Sequence, residues 1–178
     1  MMLAFDTETT GLLRPTATDL YLQPYIIEIY VCKFDDEFAV VDSFHSFVKP
    51  PVPISEEITK ITGIDNEMVR NAPTFIGIYH DLCDFFAGEK TIFAHNCTFD
   101  VNMLRNELAR HGLQYKFPWP QEHICTVEAS MPILNKRIKL LDLYKMATGK
   151  EMENAHRAED DVRAMVKCIE WLYGEELL

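Results

Sequence analysis

A chain of 178 residues, 48% of them hydrophobic, is long enough for one domain with a substantial core, and no apolar run approaches the roughly 18 residues of a membrane span. The net charge of -11 excludes a protein that meets nucleic acid through a uniformly basic face, so any polyanion must be received locally, by bound cations or a basic cluster. The cysteines (Cys32, Cys83, Cys97, Cys125 and Cys168) are odd in number and form no C-x-x-C pair, and no basic leader precedes a long apolar stretch, which together suggest reduced thiols in a cytoplasmic protein.

The first strand is predicted over residues 3–7, within MMLAFDTETTGLL. Side chains at i and i+2 of a strand share a face, so Asp6 and Glu8 stand side by side at its C-terminal end, with Thr7 turned to the other face. Two carboxylates that close repel, and a cation between them removes the conflict, although a D-x-E pair alone also fits a solvated strand end. After the turn-rich linker RPTATDLYLQPY, YIIEIYVCKF and EFAVVDSFHSFVK read as two long strands joined by the short DDE. This hairpin makes a three-stranded antiparallel start to a sheet. PPVPIS breaks the pattern, and Ser55 is placed to cap a short helix with Glu56 and Glu57 in its first turn. Gly63 ends that helix and Asp65 caps a further turn.

A helix is predicted over 73–86, with Phe75, Ile78, Leu82 and Phe85 at helical spacing and Gly88 as its stop. TIFAH follows as a short buried strand, TFDVNMLRNELARHG as an amphipathic helix ending at Gly112, and HICTV as a brief strand. Leu140, Leu141, Leu143, Tyr144 and Met146 mark another helix, ended by Gly149. The last helix runs from about 158 to 173, with Val162, Met165, Val166, Ile169 and Leu172 on one face. The order βββαβαβαα with a mixed sheet is an α/β layer design, one domain covering residues 1–178.

Asp100, in AHNCTFDV, opens the helix after TIFAH and emerges beside Asp6 and Glu8 if that strand neighbours the first. Taken alone, a first-turn aspartate facing the helix dipole is the plainer reading. In HRAEDDVRAM, Asp161 falls in the first turn of the final helix. His156, five positions earlier, can share its site only from the preceding loop, since helical neighbours are three or four apart. A solvated acidic helix start also fits this stretch. In this order, FDTETTG, HNCTFD and HRAEDD resemble the three motifs of the DEDDh family of 3′–5′ exonucleases, which includes the proofreading subunits of bacterial replicative polymerases and ribonuclease T. IIEI, VKPPVPIS…ITGI and LLDLY match as well.

The resemblance implies a ribonuclease H-like mixed five-stranded sheet, three antiparallel strands then parallel ones, flanked by helices. It implies that Asp6, Glu8, Asp100 and Asp161 hold metal and that His156 is the general base. Arg157 occupies the position where the tyrosine branch of such enzymes carries its base. Asp160 points about 100° away on the helix and stays outside the metal set. The 3′-terminal nucleotide is expected around Thr7, Thr9, Thr10 and Leu12, with His95 and Asn96 as further contacts. Phe99 could stack on a base, a core position being its plainer reading. One departure is that many relatives carry Asp-Thr in the fifth strand, where this chain has Cys125 and Thr126.

Hard oxygen ligands without clustered Cys or His suit two Mg²⁺ ions, with Mn²⁺ able to substitute, and a histidine can accept a water proton near neutral pH. The implied function is a metal-dependent 3′–5′ exonuclease that releases nucleoside 5′-monophosphates from single-stranded DNA, in proofreading or repair, with a DNA polymerase as candidate partner. Trimming of RNA 3′ ends is the neighbouring alternative. An inactive exonuclease-like module that binds a protein is the alternative from another class. The Lys136, Arg137 and Lys139 cluster is a second exception to the negative charge, for which a solvated helix entrance is the plainer reading. The loop MENAHRAED offers few apolar anchors, so His156 is expected to be held by substrate and metal, and without both ions either the loop is expected to be mobile or His156 to point away from Asp6, Glu8 and Asp100.

Overall fold

Segments rich in β-branched and aromatic residues pair into one five-stranded sheet of order β3-β2-β1-β4-β5 in the computed structural model, which describes residues 1–152 and 156–178. β1 (Met2–Thr9), β2 (Ile26–Phe34) and β3 (Val40–Phe47) run antiparallel. β4 (Thr91–Ala94) and β5 (Glu122–Cys125) add in parallel on the other side of β1. The helices are α1 (Glu56–Thr62), α2 (Phe75–Phe86), α3 (Cys97–Arg110), α4 (Thr126–Leu134), α5 (Leu140–Thr148) and α6 (Ala158–Gly174). This is the mixed sheet that the sequence predicts.

Period-two alternation divides the central strand β1 between two cores. Leu3 and Phe5 enter one with Ile78, Leu82 and Phe86 of α2 and Val101, Leu104 and Leu108 of α3. Ala4 enters the other with Val162, Met165 and Ile169 of α6. Each fully buried side chain of this size stabilises the fold by roughly 1.5–3 kcal/mol relative to an exposed one. The sheet is thus a middle layer, and residues at the C-terminal end of β1 are walled by α3 on one side and α6 on the other.

Local signals behave largely as read. The Ser55 hydroxyl accepts the Ile58 N–H at 3.3 Å, Gly63 ends α1 at φ 71°, and the Asp65 carboxylate accepts the Met68 N–H at 2.9 Å. Several boundaries shift by a residue or more. β3 begins only at Val40, because Asp35 accepts the N–H groups of Glu37 and Ala39 and Phe38 takes φ 59°, closing a turn through what reads as strand. α2 starts two residues after Pro73. The strand read in HICTV stops at Cys125, and Thr126 opens α4, a helix the sequence conceals behind two β-branched residues and an internal Pro132. Residues 153–155 of the loop MENAHRAED lie outside the described residues. All five cysteines are free, and no described helix is long and apolar enough to cross a membrane.

One buried ion pair ties α3 to the linker after β1. Arg110 and Glu107 side chains are 3% and 4% exposed, with Nη1 and Oε1 3.0 Å apart. Glu107 also accepts the Ile26 N–H at 2.9 Å, and Arg110 donates to the carbonyls of Leu20, Gln23 and Pro24. Replacing Arg110 with Ala strands a buried carboxylate and three carbonyls. A loss of about 3–5 kcal/mol in unfolding free energy is expected, read as a lower midpoint in urea.

Candidate active site

β4 pairs with β1 only at Leu3 with Ile92 and Ala4 with Phe93, so β1 runs past the end of β4 and carries Asp6 and Glu8 on the overhang. Alternation puts both on the face of Ala4, towards α6, and Thr7 on the face of α3. α3 starts directly after β4, which brings the buried Asp100 to the same end. There the Thr7 N–H and hydroxyl donate to Asp100 Oδ1 at 3.0 and 2.7 Å. Asp161 enters from the first turn of α6. A carboxylate oxygen of Glu8, one of Asp161 and a ring nitrogen of His156 all lie within 4.8 Å of one another.

His156 therefore leans over the site from the segment before α6, as its five-residue spacing from Asp161 requires. It is exposed, sits at φ 69°, and donates its N–H to Asp161 Oδ1 at 3.2 Å. Its ring faces Glu8 and Asp161. The bond to Asp161 and a clamp on Arg157 fix the turn. Asp160 takes no part in the three-residue cluster and lies close enough to Arg157 to favour its charge.

That clamp centres on Glu28, wholly buried in β2 on the α6 face. Its carboxylate accepts Arg157 Nη2 at 2.9 Å, Arg157 Nε and the Ala158 N–H at 3.2 Å, and His45 Nε2 at 2.9 Å. Burial pushes its pKa up, but the bonds from Arg157, His45 and Ala158 outweigh that and hold it below the usual range. In the sequence Glu28 stands out only as part of IIEI. A glutamate in an unbroken apolar strand was the signal for a buried, partnered charge.

The metal-site candidates have the opposite electrostatics. Burial, then Asp161 and Glu28, raises Glu8 to about 8. Burial raises Asp100 to about 7 against the Thr7 bonds, and Asp161 to about 6 against the His156 N–H. Asp6 is raised well above the carboxylate range by burial and by Asp100, Asp161 and Glu8. Near neutral pH the four cannot all be ionised unless cations join them.

A cleft of about 690 Å³ opens over this corner, lined by Asp6, His156 and Asp161 with Leu12, His95, Asn96 and Arg137. Of the residues expected at the nucleotide, Leu12 is 80% exposed and lines it. His95 and Asn96 line it too, but the His95 ring is engaged by the Thr126 hydroxyl at 2.8 Å and the Ile138 carbonyl at 3.1 Å, and Asn96 accepts from Arg137. The Thr7 hydroxyl is spent on Asp100, Thr9 donates to the Gly11 carbonyl, and Thr10 accepts the Tyr25 N–H. Phe99, in the first turn of α3, packs half-buried against the core.

The exonuclease family model of the ribonuclease T type matches residues 3–169. The chain is 34% identical over 167 residues to the PolC-type DNA polymerase III of Caldanaerobacter subterraneus subsp. tengcongensis, covering 93% of this chain and 11% of that protein. It is 34% identical over 170 residues to DNA polymerase III subunit epsilon of Treponema pallidum, covering 94% of this chain and 72% of the subunit. It thus spans about a tenth of the length of the PolC-type relatives it matches, 11% in the first two. The solved nuclease domain of 3′hExo, a DEDDh family member, shares the fold with a TM-score of 0.80 at 17% identity, over 98% of this chain and 92% of that one. The sheet is accordingly ribonuclease H-like, and with a family model matched from β1 to α6 this chain belongs to the exonuclease family.

Proposed function

We propose that the chain is a divalent-metal-dependent 3′–5′ exonuclease that releases nucleoside 5′-monophosphates from single-stranded DNA. Asp6, Glu8, Asp100 and Asp161 hold two ions and His156 is the general base. The observation that carries this reading is the meeting of these side chains, from β1, α3, α6 and the segment before α6, at one end of the sheet. The donor set fits the group: carboxylate oxygens are the ligands Mg²⁺ and Mn²⁺ prefer, and cations offset the burial, and with it the repulsion from neighbouring carboxylates, that raise the four pKa values. Bound there, such ions supply Lewis-acid polarisation of a scissile phosphate.

The chain's own residues do the rest. His156, exposed over the cleft, takes a proton from an entering water molecule, with its backbone fixed by Asp161. Thr7 aims Asp100. Leu12 offers apolar surface to the terminal base. Five free cysteines suit the reducing cytoplasm. Similarity to a DNA polymerase III subunit supports a polymerase partner and a role in proofreading or repair.

Incubation with end-labelled single-stranded DNA and RNA tests this. Mg²⁺ should yield stepwise shortening of DNA and EDTA none. Faster loss of RNA would reassign the substrate, and no hydrolysis of either refutes the reading. Asp6→Ala or Asp100→Ala should abolish measurable hydrolysis with the circular dichroism spectrum retained, whereas Asp160→Ala should keep most of it. His156→Ala should lower kcat by about 10²–10⁴-fold, slow rather than dead, because general-base assistance is worth about that much.

The raised carboxyls also link stability to pH. Folded protein retains protons that the unfolded chain releases above about pH 4, so stability in EDTA falls as pH rises from there through about 8, the value for Glu8. Thermal melts in EDTA should give a lower Tm at about pH 8 than at about pH 6, and Mg²⁺ should raise Tm more at the higher pH. Asp6→Asn should shrink that difference.

A further inference from the structure

The stretch 131–150 carries Lys136, Arg137, Lys139, Lys145 and Lys150 against the single acid Asp142, in a chain of net charge -11. Its basic head, the connection between α4 and α5, is fixed to the catalytic end of the sheet. The His95 ring, at the end of β4, donates Nε2–H to the Ile138 carbonyl at 3.1 Å and accepts the Thr126 hydroxyl on Nδ1 at 2.8 Å. Burial lowers His95 to about 4, which keeps the ring neutral as that pair of bonds requires. Arg137 Nη2 donates to Asn96 Oδ1 at 2.7 Å, and Ile138 between the cations is buried.

Arg137 and Lys139 line the catalytic cleft with Asp6, His156 and Asp161. With Lys136 they also line an adjoining hollow of about 570 Å³. Residues 137–139 are the ridge common to both. Lys145 is paired with Glu151, whereas Lys136, Arg137 and Lys139 make no ion pair among the described residues. An acidic protein that accepts a polyanion needs positive charge wherever the strand lies outside the carboxylate corner. An anchored basic ridge, unpaired among the described residues, beside that corner meets this need.

Resting on the exonuclease reading, we propose that Lys136, Arg137 and Lys139 form a phosphate-binding track for the single strand 5′ of the scissile bond, with the 3′ end in the cleft. The strand's repeating anions, rather than one terminal phosphate, are what a ridge spanning two hollows recognises. Exposed apolar surface at Leu141 in the cleft and Met146 in the hollow is available to the bases.

The test compares K136A/K139A with wild type on a single-stranded oligonucleotide and on the p-nitrophenyl ester of thymidine 5′-monophosphate, which has no upstream phosphate. The oligonucleotide KM should rise about tenfold, and the slope of log affinity against log salt should flatten by about 0.7 for each phosphate that is no longer neutralised, while the ester KM moves less than about twofold. The control K90A/K116A removes the same charge at the opposite end of the sheet, ahead of β4 and β5, and should behave as wild type. An unchanged KM and salt slope in K136A/K139A, or an equal effect in the control, overturns the track. If the wild type hydrolyses neither substrate, the exonuclease reading fails. Oligonucleotide anisotropy in Ca²⁺ then judges the track alone: weaker binding by K136A/K139A supports it and equal binding overturns it.

Discussion

Burial and mutual repulsion raise Glu8 to about 8, Asp100 to about 7 and Asp161 to about 6, and neighbouring elements are arranged around that unfavourable charge. Such a corner survives only if the surrounding fold holds the carboxylates together more strongly than they push apart. Here the force comes from two apolar cores gripping β1 from either face, with α3 and α6 locked to the sheet by their own buried stripes. The carboxylates sit where these helices begin, one turn from solid packing. They cannot relax away from one another without unpacking a helix.

β1 and β2 show two treatments of the same side chain. Glu8 and Glu28 stand opposite each other in the antiparallel register, an arrangement that is repulsive when both are charged. Glu28 is neutralised from within, by Arg157, His45 and the Ala158 N–H. Among the described residues Glu8 has no such hydrogen-bonded partner, and it faces Asp161 and His156. The internal pair also solves a backbone problem. His156 occupies the left-handed region at φ 69°, which costs a non-glycine residue of order 1 kcal/mol or more. The bonds on either side of it, Arg157 to Glu28 and His156 N–H to Asp161, hold that turn in place.

Much of this was legible in the residues. The two-residue spacing of Asp6 and Glu8 fixed their common face, and the five-residue spacing of His156 and Asp161 forced the histidine off the helix. Both rest on periodicity, which a single sequence displays directly. What stayed hidden depended on distant partners. Thr126 and Val127 read as strand from their branching, yet a hydroxyl bond to His95, 31 positions away, accompanies their turn into α4. Thr7 reads as a substrate contact, yet Asp100, 93 positions away, takes its hydroxyl. Glu28 and Arg157, 129 positions apart, give no local sign that they belong together. Side-chain partnerships of that reach are decided by tertiary packing, which local pattern does not encode.

Those same separations bear on how the centre comes into being. Within this domain β1 precedes α3 and α6, but its Thr7 meets Asp100 across 93 residues, and the Glu28 clamp closes across 129. Closing such loops is entropically unfavourable until long-range packing compensates, so these contacts form late and together in folding. A chain still emerging from the ribosome carries the β1–β2–β3 meander long before α6 exists to cover it. The proposed hydrolytic centre is therefore among the last parts of this domain to assemble, and a partly made or misfolded copy of the domain lacks the geometry to degrade nucleic acid in the cell that is making it.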